Sequence, residues 1–533
     1  MKKFYSHLLF AILITTLVSA QQLANHVVVI GMDGTSPFGL LSAEIPNMKM
    51  MMDNGVVTFH GRAVRPSSSS SNWGSMLMGA EPSQHGITSN GWERTNYLIE
   101  PSVVGPDGIF PTIFSVLKEA KPNLKTASVY DWDGFGRLYD KKAVDIDIHA
   151  EGSRNTIVEV EKVIVKDKPN FLFIHFDDPD AAGHSIGHYT QHYYNSITRM
   201  DTLVGRIIAA TKKAGIYDET IFCIVSDHGG IGKGHGGDTM SEMEIPYIIF
   251  GKGVQKGKEL TGTYYQFDNA ATVAHIFDVE TPQAWTGRPA AAAFESSPAK
   301  VKEKYSKDLQ YPVIISTMSG VYGEPISVEL KTQDKVDIFF TLDGSEPTMS
   351  STKYTKPLTV SKSSILKART FKSNKPGMVS TANYTIVSKE NGVYYKYYEG
   401  GKWKKIPDFS TLKAVREGMI FSFDLDAITD KADDQYAIVF ESFLEVAVAE
   451  DVTFYTVSDD GSKLYLNDKL VVDNDGSHGA TEKSGTIQVT PGRHKLRVEY
   501  FEDYSDEALK VLYSSSSIEK MQIPLDKLFK SAK

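Results

Sequence analysis

The chain has 533 residues, 41% apolar and 23% charged, which excludes disorder and fibrous repeats and suits three or four domains at roughly 150 residues each. Its 57 basic and 66 acidic side chains leave a net charge of −9, which excludes an overall basic footprint for nucleic acid. A single cysteine, Cys223, excludes an internal disulfide and a cysteine-rich zinc module.

In chain order, residues 1–20 read as a secretory signal peptide. Lys2 and Lys3 precede an apolar run over 8–18 that is too short to span a bilayer, and Val18-Ser19-Ala20 is a small-residue cleavage site. Its removal takes two lysines and no acid, deepening the net charge to −11. No later segment is apolar enough to cross a membrane. The expectation is an exported protein, periplasmic or extracellular, without a transmembrane anchor.

Residues 21–295 alternate strand-like and helix-like patterns. Continuous apolar runs over 26–30, 171–176, 221–225 and 247–250 suit strands buried on both faces, as in a parallel sheet. Between the second and third, Ile197, Met200, Leu203, Val204, Ile207 and Ile208 fall at helical spacing. The expected fold class is therefore α/β, a doubly wound, largely parallel sheet. Residues 296–310, with Pro298 and scattered lysines, read as a linker. Beyond it lie short alternating segments with Asp-Gly turns at 343–344, 460–461 and 475–476, so the second half reads as all-β, with a further break near 387–392.

Chemistry gathers where strands of the first half end, which is where open α/β sheets bind ligands. Asp33 follows the first run. Asp180 and His184 follow the second at i, i+4, sharing a helix face. Asp227 and His228 follow the third, and His235 stands before the fourth. Three Asp and three His divide into two three-ligand sites suited to zinc or, less tightly, manganese. Two such ions are a device for displacement at phosphorus, and the nucleophile is then a hydroxyl, for which Ser67 to Ser71 supply five. His149, Asp177, Asp178 and His188 read as supporting or surface residues, Arg94 and Arg137 as a solvated face with a grip on substrate as the alternative, and His275 as a helix-packing histidine.

These motifs resemble the alkaline phosphatase superfamily, most of all its nucleotide pyrophosphatase/phosphodiesterase branch, over residues 25–295. The carriers are Met32-Asp33-Gly34, the segment from Pro66 to Asn72, Gly79-Ala80-Glu81-Pro82-Ser83-Gln84-His85-Gly86-Ile87 ending in Asn90, Pro179-Asp180 with Gly183-His184, and Ser226-Asp227-His228-Gly229. Aligning Pro66 and Asn72 implies Ser69 as nucleophile and metal ligand, and Asn90 as the donor to a phosphoryl oxygen. Asp33, Asp180, His184, Asp227, His228 and His235 are the implied ligands of two divalent ions, most naturally zinc. Ser71 stands where the family has proline, and the placement of His235 follows related branches rather than the nucleotide pyrophosphatases. The segment after Ser69 lacks the Pro/Ala and Arg of a formylglycine sulfatase motif. The resemblance implies an exported phosphodiesterase or nucleotide pyrophosphatase working through a covalent phosphoserine on a nucleotide, glycan or lipid phosphoester. The alternatives are a phosphomonoesterase on the same site and a glycan-binding surface protein with an inactive hydrolase domain.

Residues 311–387, through Asp343-Gly344-Ser345-Glu346-Pro347, resemble the β-sandwich appended to chitobiases and hexosaminidases. Residues 392–530, through Val457-Ser458-Asp459-Asp460-Gly461, resemble the anthrax protective-antigen-type β-sandwich. Lectin members of the latter imply calcium and a sugar at Asp459 and Asp460; the alternative is that Asp-Asp-Gly merely shapes a turn.

Overall fold

The computed structural model describes residues 22–95, 97–105, 108–297, 309–428, 431–432, 434–504 and 507–532. The signal peptide expected at 1–20 and most of the expected linker lie outside them. The chain divides into two compact units, Met1–Tyr311 and Pro312–Lys533.

The first unit is built on an eight-stranded sheet. Its strands are β1 (His26–Met32), β2 (Val56–Arg62), β3 (Thr126–Tyr130), β4 (Ile146–His149), β5 (Phe171–Phe176), β6 (Thr220–Val225), β7 (Glu244–Gly251) and β8 (Lys258–Glu259), in the order β4-β3-β5-β1-β6-β7-β2-β8. The unbroken apolar runs have their cause here. β1 sits between β5 and β6, parallel to both, and β5 and β6 are buried along their whole length. β7 departs from the expected parallel order by running antiparallel to β6. The connection between them, residues 226–243, carries only the one-turn helix Met240–Met243, with no crossover helix to return the chain to the far edge.

Helices cover the sheet. The helices Ser69–Met78, Ile113–Ala120 and Asp268–Ile276 bring Trp73, Leu77, Phe114, Leu117 and Val273 into one cluster with Val27, Val29, Phe171 and Phe173. A second group is led by Gln191–Ala214, whose start is capped by the Thr190 hydroxyl accepting from Tyr193 N–H and whose end is Gly215 in the left-handed conformation. Its Ile197, Met200, Val204, Ile207 and Ile208 are buried, as the helical spacing required, and each contributes about 1.5–3 kcal/mol of apolar transfer.

Parallel pairing fixes the site's position. Met32 of β1 pairs with Phe176 of β5, and Gly31 with Val225 of β6, so the three strands finish level. The turns carrying Asp33, Asp180 and Asp227 emerge side by side at the carboxyl edge.

The second unit is all-β. Its first part packs Val328, Ile338, Phe340, Leu366, Ala368 and Tyr384 from strands that include Ile338–Thr341, Ser364–Lys372 and Ser380–Ile386. Its second part stacks a seven-stranded sheet on a four-stranded one around Tyr397, Ile438, Phe440, Phe454, Leu464 and Val498. Strand Glu450–Asp459 alternates buried and half-buried residues along its length, as a sheet with one covered face should.

Candidate dimetal active site

Three turns lock together at the carboxyl edge. Asp180 N–H donates to Asp33 O at 3.1 Å, and Gly34 N–H donates to Asp227 Oδ1 at 3.1 Å. Gly34 has φ +65°, and a Cβ there would lie 2.6 Å from Asp180 Oδ1. Only glycine allows the β1 turn this close to the β5 turn.

Asp180 is the hub. His184 Nε2 lies 3.0 Å from its Oδ2, His235 Nε2 3.5 Å from the same oxygen, and His188 Nε2 3.4 Å from its Oδ1. On the other side, His228 Nε2 lies 3.3 Å from Asp33 Oδ1 and 3.2 Å from Asp227 Oδ2. Two sets of donor atoms each converge closely enough for one ion: Asp180, His184 and His235, and Asp33, Asp180 and His228. Asp227 adjoins the second set through His228.

The residues fit divalent ions on the structure's own terms. His228 Nδ1 donates to Gly229 O at 2.7 Å and His235 Nδ1 to Ser67 O at 2.8 Å, so either ring, when neutral, carries its lone pair on Nε2. Nε2 of His228 faces Asp33 and Asp227, and Nε2 of His235 faces Asp180, so each ring shares either a proton or a cation with a carboxylate. Asp33 Oδ1, Asp180 Oδ1 and Asp227 Oδ2 are buried without a hydrogen-bond partner. Burial and the neighbouring Asp33 and Asp180 push the Asp227 carboxyl well above its usual range. Burial also opposes charge on Asp180, but its three histidines hold that carboxyl well below. Cations between these groups would satisfy the three orphaned carboxylate oxygens.

Ser69 opens the helix Ser69–Met78, and its Oγ lies 3.3 Å from His228 Nε2. The other serines of the run are engaged elsewhere. Ser67 Oγ donates to Gly237 O, Ser68 and Ser71 share a hydrogen bond, and Ser70 Oγ faces Arg137. Asn90 Oδ1 accepts from Ser70 N–H at 2.8 Å, which leaves Nδ2 as its available donor. Asn72 shapes the approach: its Oδ1 accepts from Val64 N–H, and its Nδ2 donates to Pro66 O and Ser68 O.

Four residues make contacts that the sequence reading did not assign them. Arg137, read as a solvated face, sends Nη2 to Asn90 O and to within 3.4 Å of Ser70 Oγ, while Nη1 pairs with Glu93. Arg94 is structural, binding Arg137 O and Tyr139 O. Trp73 and His175 carried no sequence signal. Trp73 Nε1–H donates to Asp33 Oδ2 at 2.9 Å, and His175 Nε2 lies 3.5 Å from the same oxygen. Both grip Asp33 from behind and leave Oδ1 turned toward His228. His275 is exposed beside Phe294, away from the cluster.

In the second unit Asp460 is buried, and both its oxygens accept backbone N–H groups, Oδ1 from His478 and Oδ2 from Asp503. Asp459 O accepts from the Tyr500 hydroxyl. The pair holds the 459–461 loop to its neighbours. The two residue groups able to take an ion among the described residues both lie in the first unit.

Residues 27–233 match the family described as type I phosphodiesterase / nucleotide pyrophosphatase, residues 317–382 the chitobiase/beta-hexosaminidase C-terminal domain, and residues 389–527 the PA14 domain. Ectonucleotide pyrophosphatase/phosphodiesterase family member 1 of Rattus norvegicus is 21% identical over 45% of this chain and 28% of its own length. Anti-sigma-I factor RsgI3 of Acetivibrio thermocellus is 31% identical over 25% of this chain and 21% of its own. The chain thus spans less than a third of each of these relatives. Among solved structures, murine ectonucleotide pyrophosphatase / phosphodiesterase 5 aligns with 48% of this chain and 96% of its own at 14% identity and TM-score 0.41. Wild-type alkaline phosphatase PafA aligns with 52% of this chain and 100% of its own at 12% identity and TM-score 0.44.

Proposed function

We propose, from the premise that residues 27–233 are a type I phosphodiesterase / nucleotide pyrophosphatase domain, that this chain is an exported dimetal hydrolase of phosphate esters, acting on diesters or pyrophosphates through a covalent phosphoserine at Ser69. The observation that carries the reading is the gathering of imidazole Nε2 atoms and three partly orphaned carboxylates at the strand ends, with Ser69 Oγ at a helix N-terminus 3.3 Å from His228 Nε2.

Asp180, His184 and His235 would hold one ion, and Asp33, Asp227 and His228 the other, with Ser69 beside it. Such ions, zinc being the natural fit to these donors, lower the pKa of a hydroxyl and neutralise charge on a leaving oxygen. The chain's own residues supply the rest. Ser69 Oγ gives up its proton to water and bonds to phosphorus as the opposite P–O bond breaks, and the leaving oxygen takes a proton from water to depart as the alcohol. Asn90 Nδ2 donates to a non-bridging oxygen whose charge grows in the transition state. The helix N-terminus at Ser69 adds its positive dipole end. Water then attacks the phosphoserine from the vacated side, the P–Oγ bond breaks, and Ser69 is restored.

A second reading, phosphomonoester hydrolysis, is favoured by one contact. Arg137 reaches Asn90 and Ser70, and a guanidinium there suits a dianionic phosphoryl group. Comparing 4-nitrophenyl phosphate with bis(4-nitrophenyl) phosphate decides between the two: the diester should turn over faster, and Arg137→Ala should slow the monoester more than the diester.

Export through residues 1–20 belongs to the same proposal. Among the described residues no helix is long and apolar enough to cross a membrane. Exported protein should begin at Gln21 by N-terminal sequencing. Metal analysis should find about two zinc equivalents, and chelation should abolish activity that zinc restores. Full activity after prolonged chelation would sink the reading.

A further inference from the structure

Asn72 ties down the approach to Ser69 with its whole amide group. It is fully buried. Its Oδ1 accepts from Val64 N–H at 2.9 Å and from Gln266 Nε2, and its Nδ2 donates to Pro66 O and Ser68 O at 2.8 Å each. The Ser68 carbonyl belongs to the same planar peptide unit as the Ser69 nitrogen, so fixing one fixes where Ser69 starts.

Gln266 reaches this amide from 194 residues away in the chain. Arg62, the last residue of β2, donates its N–H to Tyr264 O at 2.9 Å, and its carbonyl accepts Gln266 N–H at 3.0 Å. Gln266 therefore lies along the end of β2, just before the helix Asp268–Ile276, and is itself fully buried.

Chemistry fixes which end of the Gln266 amide meets Asn72. Val64 N–H can only donate, so Asn72 Oδ1 faces it. Pro66 O and Ser68 O can only accept, so Asn72 Nδ2 faces them. The atom of Gln266 against Asn72 Oδ1 must then be the donor, Nε2. Gln266 Oε1 is buried with no hydrogen-bond partner among the described residues, so the side chain's work is donation to Asn72. The last torsion of an asparagine is broad, and a second donor on Oδ1 sharpens it.

We propose that Gln266 is a positioning residue for the nucleophile: it orients Asn72, and Asn72 holds the Ser68–Ser69 peptide so that Ser69 Oγ stays beside His228. The proposal deepens the hydrolase reading and rests on it.

The test uses full-length, zinc-loaded protein and bis(4-nitrophenyl) phosphate. Gln266→Met keeps the length of the side chain and removes the donor. Its kcat should fall roughly tenfold, the worth of one hydrogen bond, with KM and zinc content unchanged. Gln266→Glu supplies a readout that lost packing cannot imitate. A protonated carboxyl donates to Asn72 Oδ1 as the amide does, whereas an ionised one sets oxygen against oxygen. Burial raises a carboxyl pKa, and the charged neighbours are engaged elsewhere: Asp268 accepts from Tyr265 N–H and Arg288 N–H, and Arg62 pairs with Glu244. The kcat of Gln266→Glu relative to wild type should therefore fall as pH rises from about 6 to about 9, while the Gln266→Met ratio stays level. Wild-type kcat in folded, zinc-loaded Gln266→Met overturns the proposal, as does a Gln266→Glu ratio independent of pH. If Gln266→Met does not fold, the Gln266→Glu ratio decides alone. Asn72→Ala and Gln266→Met both break the same bond, so together they should lower Tm by less than the sum of their separate losses. If the wild type does not cleave the ester, the hydrolase reading falls; non-additive melting shifts then uphold the Gln266–Asn72 link, and additive shifts overturn it.

Discussion

Asp33 depends on two groups far from it in sequence. Trp73 Nε1–H and His175 both address its Oδ2, and His175 is in turn faced by Asp131. A ligand oriented from behind in this way loses affinity when its support is removed, typically 10–100-fold. His175→Gln and Trp73→Phe should therefore each lower zinc affinity by about that factor in chelator competition while the protein stays folded. Unchanged metal affinity in both would mean that Asp33 is held by its backbone alone. The residues proposed as ligands stand out in the sequence because a parallel sheet delivers strand ends to one edge, and aspartate and histidine there have few other uses. Trp73 and His175 were not legible, and Arg137 was open between a solvated face and a substrate grip. A buried tryptophan and a strand histidine look like core until the fold shows which carboxylate they touch, and an arginine on a loop looks solvated until its reach is known.

The helix Ser69–Met78 and the turn after it act as one element, joined through His85. Ile87 N–H donates to His85 Nδ1 at 3.1 Å, His85 Nε2–H donates to Ser75 Oγ at 2.8 Å, and Ser75 Oγ–H donates to Ser71 O at 2.8 Å. This chain needs a neutral imidazole, since Nδ1 accepts. Burial lowers the His85 pKa from 6.5 to about 3. A depressed folded pKa means that the unfolded chain binds the proton first, so this stability is complete above about pH 6.5 and drains as pH falls toward 3. Between pH 6.5 and 5 the loss is on the order of 2 kcal/mol. Thermal melts of the first unit should show that slope, and His85→Asn should flatten it at the expense of stability at pH 7. An unchanged slope would assign the acid sensitivity elsewhere. The sequence motif from Gly79 to Asn90 was read as a family marker; its physical content is this relay, which presents Asn90 to Ser70. β7 teaches the converse. Its apolar run identified a buried strand, but direction depends on the length and helicity of the connection, which periodicity does not encode.

At the scale of the whole molecule, every proposed catalytic group lies before residue 240, inside the unit that ends at Tyr311. That unit closes its own core around the sheet, and the second unit closes separate cores. Residues 21–300 alone should therefore fold, bind metal and cleave a small nitrophenyl ester at a rate within about twofold of full length, because a compact unit with its own core needs no partner to fold. A soluble, metal-loaded fragment that is slow on the small ester would show that the β half contributes to the active site. The sequence texture changes after residue 296, and the two compact units meet at Tyr311 and Pro312; Asp460, which the resemblance offers as a calcium ligand, has both oxygens accepting backbone N–H groups.

The central claim is that Ser69 carries the phosphoryl group during turnover. The direct measurement is acid quenching of full-length, zinc-loaded protein cleaving a nitrophenyl phosphodiester, followed by peptide mass spectrometry. The account predicts a phosphoryl-ester adduct on Ser69, absent from Ser69→Ala, whose kcat should fall by roughly a thousandfold or more with zinc content intact, while Ser68→Ala still forms the adduct. An adduct on Ser70, or steady turnover by Ser69→Ala, would contradict it.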